Sequence, residues 1–524
     1  MFYNMLYLTN NKGVLKLPGG ETLSSVLAYG ALLVALFIIA FLFYTNSFLM
    51  KRRKKELGLY HILGMERKHL YQVVYQETLR LFLISLVLGM VCGILLSGFL
   101  YALLLRVIGV PIALEFSISG WGIFLTLFLF FISFWMILLY NFSQIRKVTP
   151  RELMQQADMG EREPRTKKGL VVLGVINLLA GYGIALTVDN IFAAIPQFFL
   201  AAVFVVVGTF ALFTAGSIWL LKRIRNDRER YYTPRFFIAV SGLLYRMKQN
   251  AAGLASICVL STMILVTMTV TLSVVLGEQQ AMNTIFPTDI VVTVYGSTDL
   301  QQDMDYIKGQ AKEAAQGTNA QVTEVISLAD DDYYMEDSSK RIGIMLEGTD
   351  EEKNAVNKEM ELNVDGEGHT YSMSHWICRQ SPTEGEVTYR AMHGGFFFLG
   401  LFLGILFLIA TTLIMYYKQI SEGYDDQKRY IIMKQVGMSD EEIKNSINQQ
   451  VRLVFFLPLG MSVLHTMVAF KCMAKIGNIF SIGALQVLLC TVITIAVFAA
   501  VYLGIYRSTA GNYYRIMNQT TGGK

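Results

Sequence analysis

Two stretches of this 524-residue chain set charged side chains against a glycine at matching spacing, and the chemistry open to them is docking, not bond-making. The first reads Lys51-Arg52-Arg53-Lys54-Lys55-Glu56-Leu57-Gly58-Leu59-Tyr60-His61-Ile62-Leu63-Gly64-Met65. The second reads Asp425-Asp426-Gln427-Lys428-Arg429-Tyr430-Ile431-Ile432-Met433-Lys434-Gln435-Val436-Gly437-Met438. One offset of 373 residues lays Lys55 on Lys428, Gly64 on Gly437, Met65 on Met438, Gln76 on Gln449 and Phe82 on Phe455. Each copy reads as an amphipathic helix, with Leu57, Leu59, Tyr60, Ile62 and Leu63 apolar in the first and Tyr430, Ile431, Met433 and Val436 in the second. Gly64 and Gly437 suit the position just past a helix end, where the backbone turns left-handed. Ser439 with Glu442 three residues on forms a capping box that restarts the second helix, whereas Glu66 is a poorer start in the first. A stiff helix–glycine–helix hairpin joined to an apolar helix can carry a push into a bilayer. A basic run such as Lys51 to Lys55 could also rest on anionic lipid. Matching hairpins in two corresponding halves suit instead a partner with two-fold symmetry.

Other reactive constellations are sparse. Asp330-Asp331-Asp332 with Glu336-Asp337 lacks the glycine and spaced ligands of a calcium loop and reads as a solvated acidic turn. His369, His375 and Cys378 lie close in sequence but lack a fourth ligand, and read as surface residues. The five cysteines, Cys92, Cys258, Cys378, Cys472 and Cys490, form no disulfide framework, and only Cys378 lies in a polar stretch. There is no GxxxxGK[ST] stretch for a nucleotide phosphate, no HExxH and no paired CxxC. His465 is the main ionisable residue within an apolar run, and reads as a helix-packing residue. Glu77, Arg80 and Arg452 fall at span ends, where long side chains snorkel. So few buried charges count against a proton- or sodium-coupled carrier. The chain is expected not to be an enzyme, to need no cofactor and to bind no nucleic acid.

The elements that must position the hairpins are membrane helices. Hydrophobic residues make up 53% of the chain and charged residues 16%, outside the soluble range. Apolar runs of spanning length lie near 27–50, 80–105, 119–142, 169–187, 196–221, 252–276, 394–416, 451–471 and 480–504. The fold class is thus a polytopic α-helical membrane protein of about nine spans with one extracellular α+β domain. Lys and Arg number seven in 51–79, seven in 143–168 and eight in 222–250, but one, none and one in 106–118, 188–195 and 472–479. The basic set is expected in the cytoplasm, with residues 1–26 outside and the C-terminus inside. Apolar Met1 to Leu8 reads as the tail of a helix begun upstream, so that an intact protein would have ten spans. The segments are then 1–26, a first repeat over 27–142, linkers and a helix pair over 143–249 (the pair at 169–221), a span within 250–277, an inserted domain over 278–393, a second repeat over 394–506 and a tail over 507–524.

The insert holds 22 acidic against 8 basic residues, so a nearly neutral total hides an acidic domain on a basic body. Such a domain attracts cationic ligands, cationic peptides among them, or is acidic simply to remain soluble. Its patterns predict strands at Asp289–Tyr295, Gln321–Leu328 and Arg341–Leu346, with helices at Asp299–Ala315 and Asp350–Met360.

Arg53, Lys54, Lys55, Glu56, Leu57, Gly58, Gly64 and Met65 resemble the basic-Glu-Leu-Gly…Gly element that FtsX-like permeases of ABC transporters carry after a span. Tyr417-Lys418-Gln419-Ile420-Ser421-Glu422-Gly423-Tyr424-Asp425-Asp426, continuing to Gly437-Met438, resembles the bacitracin-type branch of that family. The resemblance covers nearly the whole chain, but the first span is missing and the insert is shorter than that branch usually has. It implies a permease subunit conferring resistance to antimicrobial peptides in a Gram-positive cell membrane. An ABC ATPase homodimer on a separate chain would serve it, and a membrane histidine kinase often accompanies it. The ligand would be a peptide antibiotic or a lipid-linked wall precursor, engaged at unspecified residues within 278–393. The residues expected to couple to the ATPase are Arg53, Lys54, Lys55, Glu56, Leu59, Gly64, Met65, Asp425, Asp426, Lys428, Arg429, Gly437 and Met438. Two other readings remain: an FtsX-like regulator of a cell-wall hydrolase, and an extractor of lipoproteins or lipids.

Overall fold

A computed structural model of the chain describes residues 1–17, 20–108, 117–146, 167–188, 191–226, 234–285, 287–295, 300–328, 339–365, 376–380, 382–435, 437–479 and 482–518. Among them nine helices are long and apolar enough to cross a bilayer, in agreement with the count read from hydropathy. Two short helices, α1 (Phe2–Thr9) and α2 (Lys12–Leu15), precede the first of these. The first half of the bundle is α3 (Gly20–Ile62), α4 (Arg67–Ile108) and α5 (Gly120–Arg146). A hairpin follows, α6 (Lys168–Leu186) with α7 (Ile191–Ala211), the latter running through a π turn at Leu212–Gly216 into α8 (Ser217–Asn226). Then come α9 (Pro234–Ile285), the inserted domain, α12 (Pro382–Gln435), α13 (Asp440–Ile479) and α14 (Ala484–Asn518).

Helices α9 and α12 form the centre: they pack on each other, α9 also on α13 and α14, and α12 also on α14 and α3. Their shared core runs from Val34 of α3 through Ile264 of α9 and Phe407 of α12 to Phe455 of α13 and Tyr502 of α14. Helix α1 is buried, with Tyr3, Met5, Tyr7 and Leu8 packed among Leu23 of α3, Leu104 and Ile108 of α4 and Phe398 of α12. The two halves repeat one plan. The Phe82 ring of α4 meets Phe134 of α5 at 4.8 Å, and Phe455, its counterpart in α13, meets Tyr506 of α14 at 5.3 Å, both pairs tilted.

The α6–α7 hairpin is fastened to the second half by one polar cluster. The His465 ring accepts or donates on both sides, with Nδ1 2.7 Å from the Tyr182 hydroxyl and Nε2 3.1 Å from the Thr209 hydroxyl. His465 is buried, as a residue that packs helices together should be. Interhelical hydrogen bonds in membranes contribute about 1 kcal/mol. His465→Leu should therefore lower stability by about that amount. Thermal unfolding in detergent would check it.

The insert folds as β1 (Ile290–Tyr295), α10 (Leu300–Ala315), β2 (Gln321–Leu328), β3 (Ser339–Glu347), α11 (Asp350–Asp365) and β4 (Trp376–Gln380). Its antiparallel sheet has the order β2-β3-β1-β4. Ile290, Val292 and Val294 alternate inward with Ile342, Ile344 and Leu346, and Ile307, Ala311, Val356 and Met360 of the two helices cover them. This is the predicted order with one strand added. Strand β4 is five residues long, and only its pairing with β1 reveals it. The acidic turn at Asp330–Asp332 with Glu336 and Asp337, and also His369 and His375, lie outside the described residues.

Candidate functional site: two hairpins and the helices behind them

The sequence reads as an amphipathic helix joined directly to the first span. Accordingly α3 continues unbroken through it, because no proline interrupts the run and its Lys, Arg, Glu and Leu residues favour helix. Only Leu57 turns inward, into a cluster with Met50, Leu70, Val74 and Ile145. Leu59, Tyr60, Ile62 and Leu63 are exposed beyond the end of the apolar span. The helix ends in a Schellman motif: Gly64 has φ +98°, its N–H donates to His61 O, and the Met65 N–H donates to Tyr60 O at 3.0 Å.

Arg53, expected to face a partner, is tied into the hairpin: its guanidinium bonds the Glu77 carboxylate on α4, and that contact raises its pKa. Glu56 lies 4.0 Å from the Arg53 guanidinium and is exposed. Met65 is half-buried against the Leu57 cluster, so it locks the turn. The backbone of Lys54 and Lys55 lies in α3, and that of Asp425, Asp426, Lys428 and Arg429 in α12; their side chains are outside the described residues.

The second hairpin has the same backbone plan. Gly437 has φ +96° and donates to Lys434 O at 3.1 Å. The predicted capping box forms: the Glu442 carboxylate accepts from the Ser439 N–H at 3.1 Å, and the Glu442 N–H donates to the Ser439 hydroxyl at 3.3 Å. The Ser439 hydroxyl and amide hold the Glu442 carboxyl below its ordinary pKa. Met438 packs against the main core near Ile443. Neither turn glycine has any atom within 4 Å of where a Cβ would stand, so only the backbone conformation demands glycine there.

Each hairpin is the end of a helix that crosses the whole bundle. At 1.5 Å per residue, the 54 residues of α12 span about 80 Å. They run from just after β4 to the turn at Gly437. Helix α9 leads into β1, and β1 pairs with β4, so the two central helices end on neighbouring strands of one sheet. Asp289 fixes that junction. Its carboxylate accepts from the Leu346 N–H at 2.7 Å and from Lys353 Nζ at 2.8 Å, joining the foot of β1 to β3 and α11. These groups border an open cleft of about 660 Å³ lined by Pro287, Thr323 and Gly348. Asp289→Ala should cost about 1–2 kcal/mol, more than Lys353→Met, because it also strands a backbone donor. Faster hydrogen exchange in β3 than in the Lys353 variant would show it. Sequence reading missed this residue; its signal was an acidic side chain at the start of a β-branched run.

Among the described residues no group of three or more His, Cys, Asp or Glu is placed to hold a metal ion, and Cys92, Cys258, Cys472 and Cys490 are free thiols.

The FtsX-like permease C-terminal family matches residues 29–150, which covers most of α3, the first hairpin, α4 and α5. An uncharacterized ABC transporter permease of Bacillus subtilis, YvcS, is 21% identical over 88% of this chain and 86% of its own length. The ABC transporter permease protein YxdM of the same organism is 23% identical, covering 92% and 90%. The bacitracin export permease protein BceB of Halalkalibacterium halodurans is 22% identical, covering 84% of each. The helix–glycine–helix–helix unit built around the first hairpin is thus an FtsX-like permease domain, within a chain similar over most of its length to ABC transporter permeases.

Proposed function

We propose that the chain is the membrane permease subunit of an ABC transporter that protects a Gram-positive cell from antimicrobial peptides. In this reading the hairpins at 51–78 and 424–450 face the cytoplasm and dock a separate ATPase homodimer, one hairpin to each ATPase subunit. The inserted domain lies outside the cell and engages a peptide or a lipid–peptide complex. The observation that carries the reading is mechanical: α12 is one helix from the sheet to the second docking turn, and α9 and α12 end on paired strands. A displacement at Gln435 is therefore carried along a single helix to Pro382, two residues from the end of β4. The acidic character of the insert suits a cationic ligand, and similarity to a bacitracin export permease suggests the ligand class. A membrane histidine kinase that reads transport activity fits the same assembly.

The experiment is deletion and complementation, scored as growth against bacitracin and cationic peptides, with ATPase activity of the co-purified partner measured beside it. Sensitivity on deletion, restored by the chain with its ATPase, is the expected outcome. Unchanged peptide sensitivity together with co-purification of a wall hydrolase would replace this reading with a hydrolase regulator.

A further inference from the structure

A groove opens between the α6–α8 hairpin and the second half of the bundle, at the end that carries the docking hairpins. It encloses about 550 Å³ and is lined by Val175, Leu212, Gly216, Met247, Leu453 and Leu457, among others. That volume falls in the range of small-molecule sites, roughly 300–1,000 Å³. Its polar lining is occupied. The Thr209 hydroxyl bonds His465 and Val205 O, the Ser217 hydroxyl donates to Phe213 O, and Gln450 has a partner of its own. Apart from Thr209, Ser217 and Gln450, and Trp219 at the rim, every described side chain lining the groove is apolar, which suits a hydrocarbon occupant.

Local structure explains why the groove exists. Nearer the middle of the bundle, α6 and α7 are in close contact: a Cβ at Gly208 would stand 2.9 Å from the Leu178 backbone nitrogen. The His465 cluster then fastens both helices to α13. Beyond it the π turn at Leu212–Gly216 widens α7 by one residue per turn, and Gly216 contributes no side chain to fill the space. Turns of this kind recur at functional sites. At the mouth stands α8, whose sequence has Lys222, Arg223 and Arg225 and no acidic residue. The Arg223 guanidinium lies 5.5 Å from the centre of the Trp219 ring, a cation–π contact that holds a permanent positive charge over the groove's rim. Tryptophan is enriched at membrane–water interfaces, and an arginine near a span end can reach the headgroups.

We propose that the groove is a phospholipid site, taking an acyl chain between α7 and α13 while Arg223 at the rim holds an anionic headgroup from the leaflet on the hairpin side. A lipid there would wedge the α6–α8 hairpin against α13, the helix that leaves the second docking turn. The site is independent of whether the chain handles peptides.

The test uses the full-length chain in nanodiscs of mixed phosphatidylglycerol and phosphatidylcholine, each in turn carrying a photoreactive acyl chain. Crosslinks should concentrate at Met247 and Leu453, at least fivefold above lipid-facing controls such as Leu88 and Val492, with phosphatidylglycerol preferred. Gly216→Leu and, separately, Leu457→Trp should each remove the excess, and Arg223→Gln should abolish the headgroup preference while leaving acyl crosslinks. Unfolding midpoints identify any variant that fails to fold, and two independent fillings keep the result decisive. Even labelling across groove and controls would mean annular lipid only and would overturn the proposal. So would labelling that survives both fillings, or a groove covered by another protein's helix.

Discussion

Leu59→Asp combined with Leu63→Asp should abolish capture of the ATPase while leaving the bundle folded. Leu59 is 54% exposed and Leu63 73%, at the end of a helix that has already left the apolar span. With Tyr60 and Ile62 they make an apolar tip that nothing else in the chain covers among the described residues. Burying a leucine side chain contributes about 1.5–3 kcal/mol, so two lost at one interface come to roughly 3–6 kcal/mol before any carboxylate is desolvated. At 1.4 kcal/mol per tenfold, affinity should fall by at least about 100-fold. Folding should be untouched, because neither side chain contributes to a core. Leu57→Asp is the opposing control: Leu57 is buried beneath the turn, and its change should loosen the hairpin itself. Co-purification of the ATPase and the unfolding midpoint separate the two outcomes. An ATPase that still binds the double variant with parental affinity would remove this tip from the docking surface.

The parts of this molecule that hydropathy controls were legible. Among the described residues nine spans appear where apolar runs reach helix-spanning length, because a bilayer forces each backbone to satisfy its own hydrogen bonds and runs this long do so as helices. The insert's first three strands and both helices follow from alternation and helical composition. What the sequence hid is what depends on distant partners. Arg53 reads as an outward cation, yet Glu77 lies at a similar remove on the other side of Gly64, and the turn folds one onto the other. The repeat places Asp426 and Gln450 at those positions, so the two hairpins share a backbone plan and not an ion pair. Strand β4 has too few residues to show a period and exists through its pairing with β1. The continuity of α3 into the hairpin was legible because charge alone does not end a helix, and α3 ends where Gly64 reverses the chain.

Gly400→Leu should produce the largest loss of any single change in the bundle. Gly400 and Gly404 lie four residues apart on α12, the spacing that lets two membrane helices approach closely. A Cβ at Gly400 would stand 1.8 Å from the Thr271 hydroxyl oxygen and 2.9 Å from Thr271 Cβ on α9. Rotating the threonine relieves the first contact and leaves the second, so the helices must part. At Gly404 the obstruction is the Met268 sulfur at 2.6 Å, the end of a flexible side chain that can swing away. Gly400→Ala should therefore cost about 1–3 kcal/mol, the usual range for overpacking, and Gly404→Ala less. Gly400→Leu exceeds that range because three further carbons have no space. Thr271→Ala should recover part of the Gly400→Ala loss, which a general weakening of α12 would not allow. The consequence reaches beyond stability, since α9 and α12 meet here on their way to paired strands β1 and β4. Parting them would shift one strand against the other, so ATPase stimulation by ligand should fail in Gly400→Ala at temperatures where the protein remains folded. Normal stimulation in that variant would show that the α9–α12 contact holds the bundle together without carrying the signal.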